Sequence, residues 1–276
     1  MVRAILKTLS APVRGLHQAA YVLAGLTLAS QILALLRDRL FAHSFGAGEV
    51  LDLYYAAFKV PDLVFALVAS LVSAYVLIPR LTGGNKEQNR RLLSQTASFL
   101  FIGGGLICIV LAFFVPSFIF LLFPNAAGSV HADAFVLLTR LLLIQPILLG
   151  LSGIVTSVTQ VSRRFVLFAL SPVLYNLGII FGTVVLYPMF GLIGIGMGVL
   201  IGALAHLAVH IPVLINAKLV PGFEWPSPKL LWPVVRDSVP RSLALAMGSV
   251  TTLMLTILAA RTGEGSIAVY TLASNL

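Results

Sequence analysis

The feature that most constrains this chain is a succession of apolar runs, each long enough to cross a bilayer, joined by short loops that carry most of its charge. A hydrocarbon core about 30 Å thick needs roughly 20 apolar residues per spanning helix. Runs of that kind occupy residues 19–36 (continuing past Arg37 to residue 45), 53–78, 94–123, 132–161, 165–187, 191–215 and 230–260. Charged residues are only 10% of the chain and hydrophobic ones 59%, against about 25% charged in a typical soluble domain. In water such a chain would expose large apolar patches, so lipid is its solvent. The fold class that follows is all-α: a polytopic transmembrane helical bundle with membrane lipids as its surroundings.

An eighth run starts near Gly265 and reaches Leu276 after about twelve residues, too few to cross. The expectation is a fragment of a longer protein, with its C-terminal half missing. Residues 1–18 form a basic, amphipathic segment with Arg3, Lys7 and Arg14. The apolar run behind it is too long for a signal peptide, so an interfacial helix is expected. Residues 19–216 then carry six spans, 217–229 a linker, and 230–276 the seventh span and the start of the eighth.

The net charge of +9 sits in loop clusters with no basic stripe interleaved with aromatics, which argues against nucleic acid. With the N-terminus inside, the inner segments hold Arg80, Lys86, Arg90, Arg91, Arg163, Arg164, Lys218, Lys229 and Arg236, while the outer loops hold Arg37, Arg39 and Arg261. That bias places the N-terminus and the linker in the cytoplasm. Pro61, Pro116, Pro146, Pro172 and Pro240, with Gly103–Gly105 and the series Gly191, Gly194, Gly196 and Gly198, read chiefly as helix packing; they also suit a bundle that alternates between two shapes.

Charges at membrane depth cost at least about 2.5–3.5 kcal/mol each and usually face a cavity or a partner. Arg37, Asp38 and Arg39 close the first run; Asp52, Lys59 and Asp62 open the second, across the turn Phe45-Gly46-Ala47-Gly48. These six are expected to meet at one end of that hairpin, either as an ion-pair cap or as a substrate-facing cluster. Arg140 and Arg241 are isolated further candidates, the second placed to snorkel. His206 and His210, at i,i+4 without an intervening zincin glutamate, read as interfacial residues rather than a metal site. Cys108 stands alone in an apolar run, so no disulfide or CxxC site is expected. No nucleophile elbow, Walker loop or metal-ligand spacing occurs, so neither an enzyme nor a cofactor is expected.

The residues then point to a family. Ser30 through Arg37-Asp38, the turn Phe45-Gly46-Ala47-Gly48, Asp52, and Phe58-Lys59-Val60-Pro61-Asp62-Leu63 resemble the opening of the MurJ/MviN family of lipid II flippases, members of the MOP exporter superfamily. Leu138-Thr139-Arg140, Arg163-Arg164-Phe165, Ser171-Pro172-Val173-Leu174-Tyr175-Asn176 and the stretch from Gly265 to Leu276 are similar to later family motifs in order and spacing. The resemblance implies the first, six-helix lobe of an alternating-access carrier plus the start of the second lobe. It implies a bacterial inner-membrane location, a lipid-linked peptidoglycan precursor as substrate, and coupling to an ion gradient or the membrane potential in place of a cofactor.

It also implies a cavity site of Arg37, Lys59, Asp52, Asp38, Asp62, Gln31 and Asn275, with Pro61, Gly46 and Gly48 as hinge positions. Arg37 and Lys59 would attract the diphosphate, and Asp38 and Asp52 would pair with them in one state. The chain departs from the family where Gln31, Phe65-Ala66 and Asn275 stand in place of arginines. Positive charge is what a diphosphate in a low-dielectric cavity requires. An exporter of another polyprenyl-linked glycan or an amphipathic small molecule, or a transport-inactive scaffold, therefore stays open beside the flippase.

Overall fold

The computed structural model describes residues 15–275; residues 1–14 of the expected interfacial segment lie outside it. The described residues form helices joined by tight corners. The first span is α1 (Leu16–Phe45). The second is assembled from α2 (Glu49–Ala57), α3 (Lys59–Leu67), a 3-10 turn at Ala69–Val72 and α4 (Ala74–Gly83). The third runs through α5 (Lys86–Phe99), a wide π-type turn and α6 (Gly105–Leu122). The fourth joins α7 (Ala132–Leu142) and α8 (Gln145–Val161). The fifth is α9 (Phe165–Phe181), with a π-type turn leading into α10 (Tyr187–Phe190). The sixth is α11 (Leu192–Ala208) and α12 (Ile211–Ala217). The seventh is α13 (Pro228–Ala260), and α14 (Ser266–Ser274) begins the eighth. Among the described residues, six helices qualify as membrane crossings by length and hydropathy, seven when the bent second span is counted as one.

The tightest packing joins the fifth and sixth spans, and the glycine series causes it. Gly178 and Gly182 face Gly198 and Gly202 at four-residue spacing. A Cβ on Gly198 would lie 2.4 Å from the Gly182 Cα, and one on Gly178 2.3 Å from the Gly202 Cα. Small residues repeated every fourth position let two backbones touch, and dispersion replaces the hydrophobic drive that lipid does not supply.

Apolar side chains collect at two levels. Phe41, Tyr54, Phe135, Leu138 and Ile195 pack near the Phe45–Gly46 turn, and Leu77, Leu93, Ile154, Val213 and Val234 pack toward the opposite end. Between the second and third spans, Asn85 and Gln88 form a reciprocal capping box, and the Asn89 amide donates to the Leu81 carbonyl at 2.8 Å. Capping of this kind starts the third span on a fixed register.

The 41° bend of the second span separates Glu49–Leu67 from Ala69–Gly83, beyond the expected hinge position Pro61. Pro61 lacks an N–H, and its effect is local, with the helix interrupted at Phe58. His206 and His210 turn into the bundle and find hydroxyl partners there. His210 is fully buried, with Thr156 and Thr159 hydroxyls at 3.0 and 3.1 Å from its two ring nitrogens. The Ser152 hydroxyl lies 2.7 Å from Nδ1 of His206. Hydroxyls both donate and accept, so they satisfy either tautomer inside the bundle.

Candidate functional site

The charges flagged in the sequence separate into three places, because successive residues on a helix point about 100° apart. The first is a polar thread through the bundle. Arg37 Nη2 is 2.8 Å from Asp38 Oδ1, and Arg37 Nη1 donates to Asn176 Oδ1 at 3.0 Å. The Asn176 amide donates to the Ser30 hydroxyl at 3.3 Å. On the far side the Asn275 amide donates to Asp38 Oδ2 at 3.0 Å. The thread therefore links the first and fifth spans to the eighth. Asn176 holds the arginine in place; it lies inside a quoted motif, yet nothing in that motif marks it as a partner of Arg37.

The second place is the junction between the second and eighth helices. Asp52 does not meet Arg37 or Lys59. It is 8% exposed, and its carboxylate accepts the Gly265 and Ala268 N–H groups, both at 2.7 Å. In return Glu264 Oε1 accepts the Glu49 N–H at 3.2 Å, at the start of α2. Each helix N-terminus thus receives a carboxylate from the other side of the junction, Asp52 from α2 and Glu264 from the turn before α14, where both the free N–H groups and the helix dipole favour negative charge. Close approach makes this possible. Gly265 has φ +81°, and a Cβ there would stand 2.2 Å from the Ala47 carbonyl oxygen, so only glycine fits. Gly46, also at positive φ (+60°), ends α1 with its N–H on the Ala42 carbonyl. Gly48 is the N-cap of α2. Both expected hinge glycines therefore lie in the turn against which α14 is seated.

The third place is a cleft of about 340 Å³ between the second and seventh spans, lined by Lys59, Asp62, Phe65, Ala66, Gly248 and Thr252. Lys59 is 8% exposed and Asp62 opens into the cleft. Phe65 and Ala66, at the positions where the resemblance leads one to expect arginines, leave Lys59 as the positive charge on this wall. Arg39 is exposed on the outside of α1 and Gln31 is exposed one and a half turns before Arg37; neither joins the cleft or the thread. The expected gathering of six charges is therefore replaced by one ion pair with its amide partners, one capping carboxylate and one lysine–aspartate wall.

The isolated arginines are accounted for locally. Arg140 donates from Nε to the Ala112 carbonyl at 2.9 Å, bridging the fourth and third spans. Arg241 lies over the Tyr75 ring, 5.1 Å from its centroid, which is favourable for a cation near an interface.

The described residues thus form a multi-pass helical bundle of the kind that crosses membranes, with polar groups threaded between spans and a charged cleft beside the seventh helix. Solved structures share it. The fold matches a lipid II flippase MurJ in an inward closed conformation, with a TM-score of 0.76 and 24% identity, over 92% of this chain and 54% of that one. It also matches an inward-facing multidrug resistance MATE family transporter of the MOP superfamily, with a TM-score of 0.67 and 18% identity, over 92% of this chain and 60% of that one.

The model of the lipid II flippase MurJ family matches residues 41–276, and the chain belongs to that family. Its relatives include the probable lipid II flippase MurJ of Buchnera aphidicola subsp. Acyrthosiphon pisum, 28% identical over 88% of this chain and 49% of that protein. The lipid II flippase MurJ of Burkholderia cenocepacia is 26% identical over 91% of this chain and 51% of that protein. That of Thermosipho africanus is 31% identical over 70% of this chain and 40% of that protein. The chain thus spans about half the length of the curated relatives it matches.

Proposed function

We propose that this chain is the first lobe and the beginning of the second lobe of a lipid II flippase working by alternating access in the bacterial inner membrane. Residues 19–216 form the first lobe, 217–229 a cytoplasmic linker, and 230–276 the start of the second. The observation that carries the reading is the pair of cross-capped helix N-termini. In this reading they are an outer gate: Asp52 and Glu264 hold the eighth helix against the Gly46–Gly48 turn while the Lys59–Asp62 cleft faces the other side. The basic loops set the orientation, with the N-terminus in the cytoplasm. Opening the gate exchanges carboxylate–amide bonds for water, and an ion gradient or the membrane potential drives the exchange. The latter supplies about 2.3 kcal/mol per elementary charge per 100 mV.

Lys59 and Arg37 bind the diphosphate of the lipid-linked precursor. Arg37 is already held by Asp38 and Asn176, so it becomes available to substrate only as the Asp38–Asn275 contact to the eighth helix parts. The test is complementation of a flippase-depleted cell by the full-length protein, with lipid II export measured in the Lys59→Ala and Arg37→Ala variants. Both variants insert and lose export; unimpaired export by either removes that residue from the site.

A second reading rests on one observation, the replacement of positive charge by Gln31, Phe65, Ala66 and Asn275. The substrate is then another polyprenyl-linked glycan carrying less charge. Binding to the purified full-length protein separates the two readings, with no preference for lipid II over a monophosphate-linked glycan favouring the second.

A further inference from the structure

The segment between the sixth and seventh spans, residues 219–227, has no regular helix or strand, yet it is closely held. The sixth span ends in a Schellman turn. Lys218 adopts the left-handed conformation (φ +54°) and the Leu219 N–H returns to the Leu214 carbonyl at 3.0 Å. From there the segment lies along α5. The Gly222 N–H donates to the Ser94 hydroxyl at 3.0 Å, the Glu224 N–H to the Ser98 hydroxyl at 3.2 Å, and the Ser227 N–H to Gln95 Oε1 at 3.1 Å. Ser94 and Ser98 are one helical turn apart and buried, so α5 presents a polar seat that takes up alternate amides of the strap.

The outward side of the strap is aromatic. Phe223 is 70% exposed and Trp225 75% exposed, two residues apart with ring centroids at 6.2 Å. Trp232, on the first turns of α13, is 66% exposed. Basic residues surround them: Lys218 and Lys229 at the two ends, and Arg90 and Arg91 on the helix that carries the seat, all exposed. Water is a poor partner for two large rings held open in this way. Irregular backbone is tolerated at membrane depth only where its polar groups are met by protein, and the seat meets three of its amides. Aromatic rings with a polar edge settle at the headgroup level, and each Lys or Arg near an anionic surface adds to the attraction.

We propose that residues 218–229 are a membrane-surface anchor, with Phe223 and Trp225 inserted among the lipids of the inner leaflet and the flanking lysines bound to anionic phospholipid headgroups. The leaflet rests on the orientation proposed above; the insertion rests on the exposed rings, the seat and the charge around them. The anchor fixes the connection between the two lobes to the bilayer, so that the pivot of the carrier responds to the lipid composition of that leaflet.

The test uses the full-length protein with Trp232 and any tryptophan outside this chain changed to Phe, so that Trp225 is the one reporter, in nanodiscs of phosphatidylcholine alone or mixed in equal parts with phosphatidylglycerol. The expected result is a blue-shifted emission that loses most of its intensity to lipids brominated high on the acyl chain and less to lipids brominated deep. Quenching is stronger with phosphatidylglycerol present, and Lys218→Gln with Lys229→Gln removes that difference. A water-like emission quenched by acrylamide overturns the proposal, and so does an emission shielded from both acrylamide and bromolipid, which means that protein covers the rings.

Ser94→Ala with Ser98→Ala raises acrylamide access if the seat presents the rings; unchanged access overturns the role of the seat. Retaining Trp232 and replacing Trp225 by Phe gives a reference for any loss of fold. An impermeant maleimide on Lys229→Cys, in a Cys108→Ser background, reads the side. Labelling from outside the cell overturns the leaflet and the orientation together. Loss of bromolipid quenching with labelling from inside overturns the anchor alone.

Discussion

At one end of the bundle, the eighth helix meets the second through Asp52 on two buried amides and Glu264 on a third. At the other, the strap before the seventh helix meets the third span through Ser94, Gln95 and Ser98, and the seventh helix packs on the second span. They are joined by a buried Ser70–Ser242 hydroxyl contact at 2.7 Å and an Arg80–Asp237 ion pair at 2.5 Å. The first junction depends on carboxylates facing helix dipoles and has no covalent link beside it. The second uses mostly neutral groups and stands next to the chain connection itself. In the alternating-access reading proposed above, the carboxylate end is the one that parts and the seated end the one that stays.

The largest effect tests whether both ends depend on the same rigid body. Gly198→Leu drives a side chain into the fifth span, where even a Cβ is 2.4 Å from the Gly182 Cα. Overpacking of this kind costs typically 1–3 kcal/mol and more where backbone faces backbone. Thermal unfolding in detergent should fall by many degrees, and distances across both junctions should broaden together. Broadening at one junction alone would show that the first six spans are not one unit.

Next comes the gate. Asp52→Ala leaves the Gly265 and Ala268 N–H groups buried without acceptors, at about 1–3 kcal/mol for each unsatisfied group. Spin labels at Ala47 and Val269 should report a longer, broader distance, while labels across the seated end do not move. Asp52→Asn keeps one carbonyl acceptor and should fall between wild type and Asp52→Ala. Equal opening at both ends would break the comparison.

How much of this was legible in the sequence differs between the two ends. The spans were legible because lipid demands about 20 apolar residues for each crossing; of the glycine seam only Gly198 stood in the series read as helix packing, while Gly178, Gly182 and Gly202 acquire their role from the facing backbone. Asp52 was visible as a charge at membrane depth, but its partners are backbone amides 213 and 216 residues away. Backbone amides leave no side-chain signature, so the sequence gives no sign of these partners. Glu264 sits in a loop and resembles any exposed carboxylate. Ser94, Gln95 and Ser98 read as an ordinary polar start to a span. The bend at Val68 has no proline to announce it, and Pro61 is accommodated near a helix start. Polar groups that face backbone, and bends set by packing, are decided by the tertiary fold.

Two smaller effects sharpen the comparison. Ser94→Ala with Ser98→Ala removes two acceptors from the strap, about 1 kcal/mol each. Protease cleavage within 219–227 should accelerate while the Ala47–Val269 distance stays fixed. Glu264→Gln acts on an exposed contact worth about 0.3–1 kcal/mol at low ionic strength. It should widen the Ala47–Val269 distribution slightly in low salt and not in high salt, because exposed charge is screened and buried charge is not. A salt-independent effect of Glu264→Gln would mean that it acts through packing and not as the charged half of the latch.

The smallest effect asks whether the seated end is strained in order to hold its shape. Lys218 and Arg163 occupy equivalent places, each in the left-handed conformation at φ +54° closing a helix. In both, the next N–H returns five residues, from Leu219 to Leu214 and from Arg164 to Thr159, at 3.0 Å. A non-glycine residue there costs roughly 1–2 kcal/mol in backbone strain, and glycine relieves it while adding freedom to the unfolded chain. Lys218→Gly and Arg163→Gly should therefore each raise the unfolding temperature by a small and similar amount. Lys218→Gly alone should also weaken the response of Trp225 to phosphatidylglycerol, because only it removes a charge from the strap. If both variants weaken that response equally, the basic face as a whole and not the strap reads the lipid.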